Sequence, residues 1–339
     1  MGMKTIIAGT DAPLLSWPQT PFPAGTAAVW YAGADGLPMR AAFAPADRPR
    51  GSVVVSPGRT EPIENYAEVV GELVARGFNT LVHDWRGQGR SSRLLSDRLR
   101  GHAHGYDDFV EDFRLLVAQF EARLPHPRIA VAHSMGGCLT LMALAKGIGG
   151  FDAAILSAPM LGLNTEPNPG WLARATTSMM CALGRDSDYV LGHVTDPYVV
   201  TFEADRLTHD RARYQRNRDN ILADRDLALG NVTWGWLASA FHAMDWLHTA
   251  PEVETIEVPV VVMAAELDQL VRNQELRTVT ARIPGARYVE VPGAYHEILM
   301  ETDDIRASFW AEFDELAGQA PKAESWLRKS AKRFSARNR

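Results

Sequence analysis

Residues 129 to 137 read Ile-Ala-Val-Ala-His-Ser-Met-Gly-Gly, an apolar strand-like run that meets a serine and two glycines and passes at once into helical periodicity. Few folds offer such a junction. The chain must turn from strand to helix within a residue or two, the residue at the bend must accept backbone strain, and its neighbours must be small enough for the two elements to approach. Ser134 stands at that bend, with Ala132, Gly136 and Gly137 around it. The spacing is that of a G-x-S-x-G elbow with Ala132 in place of the first glycine. Such an elbow presents the serine hydroxyl at the carboxyl edge of a sheet. The plainer reading of the same residue is a helix N-cap.

The flanking pattern specifies an α/β chain with a mostly parallel central sheet and helices on both faces. Runs at 27–32 and 38–43 flank Gly33-Ala34-Asp35-Gly36 and predict an opening hairpin; further strands are expected at 51–56, 79–84, 128–132 and 153–157. Between them, Tyr66, Val69, Val70, Leu73 and Val74 form a helical stripe ending near Gly77, and Phe109, Val110, Phe113, Leu116, Val117 and Phe120 form a second. A third helix is expected at 135–146. At Pro159 the alternation stops. Residues 161–249 are helical in pattern, rich in Trp and Met, and without a convincing strand; strands resume at 259–263 and 287–291. The expected organisation is a core formed by 1–160 and 250–320, a helical lid inserted at 161–249, and a tail at 321–339.

A serine hydroxyl is a weak nucleophile until an imidazole takes its proton and a carboxylate orients that imidazole. On this type of sheet the partners follow in the order acid, then histidine. Asp268 lies just after the strand at 260–263, and His296 just after the strand at 287–291, so loops at one sheet edge bring both toward Ser134. Glu266 competes for the acid role from the same loop. His102, His104, His193, His209 and His242 occupy no comparable position and read as surface or core residues.

Charge and cysteine content narrow the rest. The formal net charge is −6, which offers no general attraction to nucleic acid. Residues 322–339 carry seven Lys and Arg against Glu324 alone, +6, which leaves −12 for the remainder. Cys138 and Cys181 form neither a disulfide framework nor a metal-ligand spacing, so a reducing, cytoplasmic setting is expected, and no metal or organic cofactor is called for. The first residues lack the apolar core of a signal peptide, and no run approaches the roughly 18 to 20 apolar residues of a membrane span. In the tail, Trp326, Leu327, Ala331 and Phe334 lie among Lys329, Lys332, Arg333 and Arg337. That pattern reads either as an interfacial helix on anionic lipid, giving peripheral contact at the inner membrane, or as a solvated end.

The sequence resembles the α/β-hydrolase superfamily, in its branch of bacterial lysophospholipases and monoacylglycerol lipases. The resemblance spans about residues 51 to 313. It rests on Ser56-Pro57-Gly58-Arg59, Asp84-Trp85-Arg86-Gly87-Gln88-Gly89-Arg90-Ser91, Ala132-His133-Ser134-Met135-Gly136-Gly137, Asp268 with Val271, and Gly293-Ala294-Tyr295-His296-Glu297. Most of the branch has His-Gly where this chain has Pro57-Gly58. The resemblance implies ester hydrolysis of a monoacyl glycerolipid by Ser134, Asp268 and His296, with the backbone N–H groups of Arg59 and Met135 as oxyanion donors. It implies that the Asp84 motif shapes a turn beside the site. The Trp and Met residues of 161–249 then suit an acyl-chain pocket, or else form the lid's own core. Because a serine triad does not encode the leaving group, a small-ester hydrolase, thioesterase or aminopeptidase remains the same-fold alternative. A non-catalytic binding protein would be expected to lose one of the three residues. Dehalogenase or epoxide hydrolase chemistry would need an aspartate at 134.

Overall fold

The computed structural model describes residues 9–190, 196–202 and 206–320. In it the apolar runs join into one eight-stranded sheet: β1 (Ala27–Ala32), β2 (Pro38–Ala44), β3 (Gly51–Ser56), β4 (Phe78–His83), β5 (Arg128–His133), β6 (Ala153–Ser157), β7 (Val260–Ala265) and β8 (Arg287–Val291). The spatial order is β1-β2-β4-β3-β5-β6-β7-β8. Strand β2 is antiparallel to β1 and β4, and the remaining pairs are parallel. Every residue of β3 to β7 is buried, which is why these strands read as continuous apolar runs rather than as alternation.

Alternate residues of each strand feed two separate cores. Val54, Ala130 and Val262 face the helices α2 (Asp107–Phe120), α3 (Ser134–Ala145) and α6 (Trp234–Thr249). Val53, Ile129 and Val261 face α1 (Ala67–Ala75) and α8 (Asp303–Gln319). Two helices add to those read from the sequence: α8, and α7 (Asn273–Thr280) on the first face. The inserted stretch contributes α4 (Gly170–Ala182), α5 (Arg211–Ala223) and α6, and its described residues contain isolated bridges but no strand. Helix α6 is not peripheral, because Trp236, Ala240, Phe241, Met244 and Leu247 pack into the core shared with α2 and α3. The basic tail at 321–339 lies outside the described residues.

A charge cluster ties the N-terminal strands to the loop after β4. Arg40, wholly buried on β2, donates Nε to Asp84 at 2.7 Å and both terminal nitrogens to Glu64 at 2.8 Å. Asp84 also accepts the Ile63 and Arg90 N–H groups. Burial pushes the Glu64 carboxyl upward, against the opposing pull of Arg40. Removing the cation would leave two acids desolvated without a counter-charge. Arg40→Met is therefore expected to cost about 3–5 kcal/mol of stability, read as a lowered midpoint in urea unfolding. A loss below about 1 kcal/mol would show that the cluster is not a structural tie.

Candidate active site

Ser134 opens α3 with φ +48°, the left-handed region that side chains with a β-carbon disfavour. Close packing holds it there. A β-carbon on Gly136 would lie 2.3 Å from the carbonyl oxygens of Ser56 and Pro57, and one on Gly137 would lie 2.6 Å from Pro159 Cβ. Ala132, buried in β5, is small enough to serve where the pattern has its first glycine.

The loops after β7 and β8 bring the other two expected residues to the hydroxyl. His296 Nε2 lies 2.8 Å from Ser134 Oγ, and His296 Nδ1 lies 2.6 Å from Asp268 Oδ2. The Asp268 side chain is 0% exposed and that of His296 4%. Asp268 Oδ1 accepts the N–H groups of Leu270 at 2.8 Å and Val271 at 3.0 Å. Burial works to raise the Asp268 carboxyl, but the His296 ring and these two N–H groups outweigh it and hold it below its usual range. An ionised Asp268 fixes the proton on His296 Nδ1 and leaves Nε2 free to accept from the serine. Glu266 is exposed and accepts the Gly293 N–H at 2.7 Å, so it braces the histidine loop without reaching the ring.

Arg59 and Met135 border the cavity over Ser134. The Gly58 N–H is taken by Glu61 Oε2 at 2.5 Å and the Thr60 N–H by Gln88 Oε1 at 2.7 Å, while the Arg59 N–H between them has no acceptor among the described residues. Met135 N–H lies in the first turn of α3, where helical N–H groups lack intrahelical partners. Trp85 Nε1 donates to the Pro57 carbonyl oxygen at 2.8 Å, so the Asp84 motif props this loop. Sequence reasoning missed three of these props. For Trp85 and Gln88 the motif itself was the signal. Glu61 had none, since a lone acid near Gly58 has no distinguishing pattern.

The cavity encloses about 970 Å³ and is walled by Met160, Leu163, Leu172, Trp234, Trp236 and Leu270 among others. Of the Trp and Met residues expected in an acyl pocket, only Trp234 and Trp236 line it. Met180 and Met244 are buried, Trp246 packs against the core, and Trp171 and Met179 face outward. Beside His133, whose own imidazole is pushed down by burial, the His296 ring lies 4.8 Å centroid to centroid. Elsewhere His102, His104 and Asp186 bring ligating atoms within 4.8 Å of one another, a grouping that could hold a metal ion and that does not line the cavity.

A family model described as serine aminopeptidase, S33 (Hydrolase_4), matches residues 47–303. The chain belongs to this family. This α/β-hydrolase is 33% identical over 287 residues to lysophospholipase L2 of Escherichia coli K12, covering 82% of this chain and 83% of that protein. A monoacylglycerol lipase of Mycolicibacterium smegmatis is 28% identical over 271 residues, covering 77% and 86%. Among solved structures, a soluble variant of monoglyceride lipase from Saccharomyces cerevisiae, in complex with a substrate analog, matches the fold with a TM-score of 0.64 at 19% identity, over 86% of this chain and 94% of that one. In this hydrolase, Asp268→Asn is expected to lower kcat by on the order of 10⁴-fold while Glu266→Gln changes little. The reverse ranking in steady-state assays would move the acid to Glu266.

Proposed function

We propose that this hydrolase cleaves the carboxylic ester of a monoacyl glycerolipid, a lysophospholipid or a monoacylglycerol, through an acyl-enzyme on Ser134. The observation that carries the reading is the continuous hydrogen-bond chain from Asp268 through His296 to Ser134, opening into a large, mainly apolar cavity. The names of the relatives support the substrate class. Ser134 Oγ attacks the ester carbonyl as His296 Nε2 takes its proton. The oxyanion is held by the Arg59 and Met135 N–H groups, each worth roughly 3 to 4 kcal/mol to the barrier. His296 then gives the proton to the departing glycerol oxygen, and Asp268 stabilises the imidazolium in between. In the second half a water molecule, deprotonated by His296, attacks the acyl carbon and releases the fatty acid. Residues 161–249 act as the cap, with Leu163, Leu172 and Ala173 walling the acyl side of the cavity.

A fluorophosphonate probe should label the wild type and leave Ser134→Ala unlabelled; labelling at another serine in that variant would remove Ser134 from the mechanism. Rates on lysophosphatidylcholine, monoacylglycerol, p-nitrophenyl esters and aminoacyl amides should favour the two lipids. A preference for the amides would replace the reading with an aminopeptidase.

The setting follows from charge. Among the described residues no helix is long and apolar enough to cross a membrane. In a cytoplasmic location, the −12 of residues 1–321 would be repelled by anionic lipid, and the +6 of 322–339 would hold the protein there, each basic residue near the surface contributing about 1 kcal/mol. Deleting 322–339 should spare p-nitrophenyl ester hydrolysis and reduce sedimentation with anionic vesicles at low salt. Equal sedimentation of both forms would reduce the tail to a solvated end.

A further inference from the structure

The cavity over Ser134 is bordered by a cation that no acid among the described residues balances. The fold buries five arginines outright among the described residues, and each faces a carboxylate: Arg40 meets Glu64 and Asp84, Arg86 meets Asp112, Arg128 meets Glu121, Arg213 meets Glu68, and Arg306 meets Glu72. The half-buried arginines Arg59 and Arg93 have no such partner among the described residues; Arg93 donates to the carbonyl oxygens of Arg98, Asp226 and Ala228, and of the two only Arg59 borders the cavity over Ser134. The Arg59 side chain threads between two glycines, with one terminal nitrogen donating to the Gly230 carbonyl oxygen. A β-carbon at Gly101 would stand 2.7 Å from Nη2 and 3.2 Å from Nε. The guanidinium carbon lies 5.6 Å from the centroid of Trp236, and Nε is buried with no hydrogen-bond partner among the described residues. Burial with no opposing carboxylate pushes this guanidinium down to about 10, which still leaves it cationic at neutral pH.

The position of this group matters as much as its charge. Arg59 borders both the cavity that holds Ser134 and an adjoining one of about 250 Å³. Two carboxylates, Glu61 and Glu297, also border both spaces, but neither is within ion-pair distance of Arg59, and Glu61 already accepts from the Gly58 N–H and the Tyr66 hydroxyl. A desolvated guanidinium with a spare donor beside a ligand cavity is suited to a planar or tetrahedral oxyanion. Its reach also fits the substrate. From the backbone nitrogen of an arginine to its guanidinium carbon there are as many covalent bonds as from the ester carbonyl carbon of a lysophospholipid, across the glycerol unit, to the phosphorus.

We propose that the Arg59 side chain binds the phosphate of a phosphate-bearing headgroup while the backbone N–H of the same residue faces the ester oxyanion, making this arginine a specificity residue for lysophospholipid over monoacylglycerol. The inference rests on the reading of Ser134 as the nucleophile for a monoacyl glycerolipid. Arg59→Lys keeps the charge without the forked donors, and Arg59→Met removes both.

The test compares kcat/KM of the full-length protein on decanoyl lysophosphatidylglycerol and on monodecanoylglycerol, both below micelle formation. Wild type should favour the phosphate-bearing substrate, and Arg59→Met should shrink that preference at least tenfold, mainly through KM, with Arg59→Lys between the two. A disturbed loop would slow both substrates equally and leave the ratio unchanged, which overturns the proposal; so does a wild type without preference, although it leaves ester hydrolysis standing. A wild type inactive on both lipids refutes the underlying reading instead. Inorganic phosphate and glycerol 3-phosphate, tried as inhibitors of p-nitrophenyl ester hydrolysis, separate the sources of the anion. Inhibition by inorganic phosphate that Arg59→Met abolishes, with the lipid ratio unmoved, assigns the site to free phosphate and overturns the headgroup role.

Discussion

Helix α3 starts where β5 ends with no connecting residue, and its first turn lies directly on the carbonyl oxygens at the end of β3. That approach is the constraint on which the site depends. It is open only to glycine at 136 and 137, and it forces Ser134 into a positive φ that would relax if α3 could move away. The sheet prevents such a movement. Strand β5 is buried between β3 and β6, and α3 is buried along nearly its whole length between the sheet and α2 and α6. Strain of order 1–3 kcal/mol at one residue is small beside that packing, so the hydroxyl stays aimed at His296 without a side-chain rearrangement.

The loop proposed to hold the oxyanion is built differently. Residues 57–60 belong to no strand or helix, and their positions come from hydrogen bonds: Trp85 to Pro57, Glu61 to Gly58 and Gln88 to Thr60. Two of those three props sit on the loop after β4, and that loop is anchored in turn by Asp84 to Arg40. A buried charge cluster that touches no member of the Ser134, His296 and Asp268 chain therefore sets the placement of these backbone N–H groups. The Asp84 motif is part of the site in this indirect sense, although its acid touches nothing that reacts.

This division explains what the sequence made legible. The strands at 51–56, 153–157 and 260–263 could be read because burial on both faces demands unbroken apolar runs; Ser134 and Asp268 could be read because each follows such a run, and His296 because it follows the partly exposed edge strand β8 at the same sheet edge. Helix α8 escaped because its stripe of Phe309, Trp310, Phe313 and Leu316 comes after the last motif, where no strand follows to frame it. The side chains of 161–249 were ambiguous for a different reason. A Trp or Met on an amphipathic helix has the same pattern whether its apolar face meets a core, a cavity or solvent, and here Met244, Trp234 and Trp171 take one each. Only tertiary packing separates them.

Charge behaves in the opposite way, since a lone arginine in a loop carries no sequence signal and its meaning emerges from its surroundings. Desolvating a guanidinium is costly enough that a fold ordinarily supplies a carboxylate, as this one does for Arg40, Arg86, Arg128, Arg213 and Arg306. For those five the acid comes from an element packed against the arginine, so the pair tightens the structure. At Arg59 the packed neighbours are two glycines and a tryptophan ring, which bury Nε without neutralising the group. Arg93, likewise without an ion pair among the described residues, is held instead by backbone carbonyl oxygens and does not line the cavity over Ser134. A cation left without a carboxylate among the described residues at the border of that cavity suits the proposed role, the binding of an anion that enters with the substrate and leaves with the product.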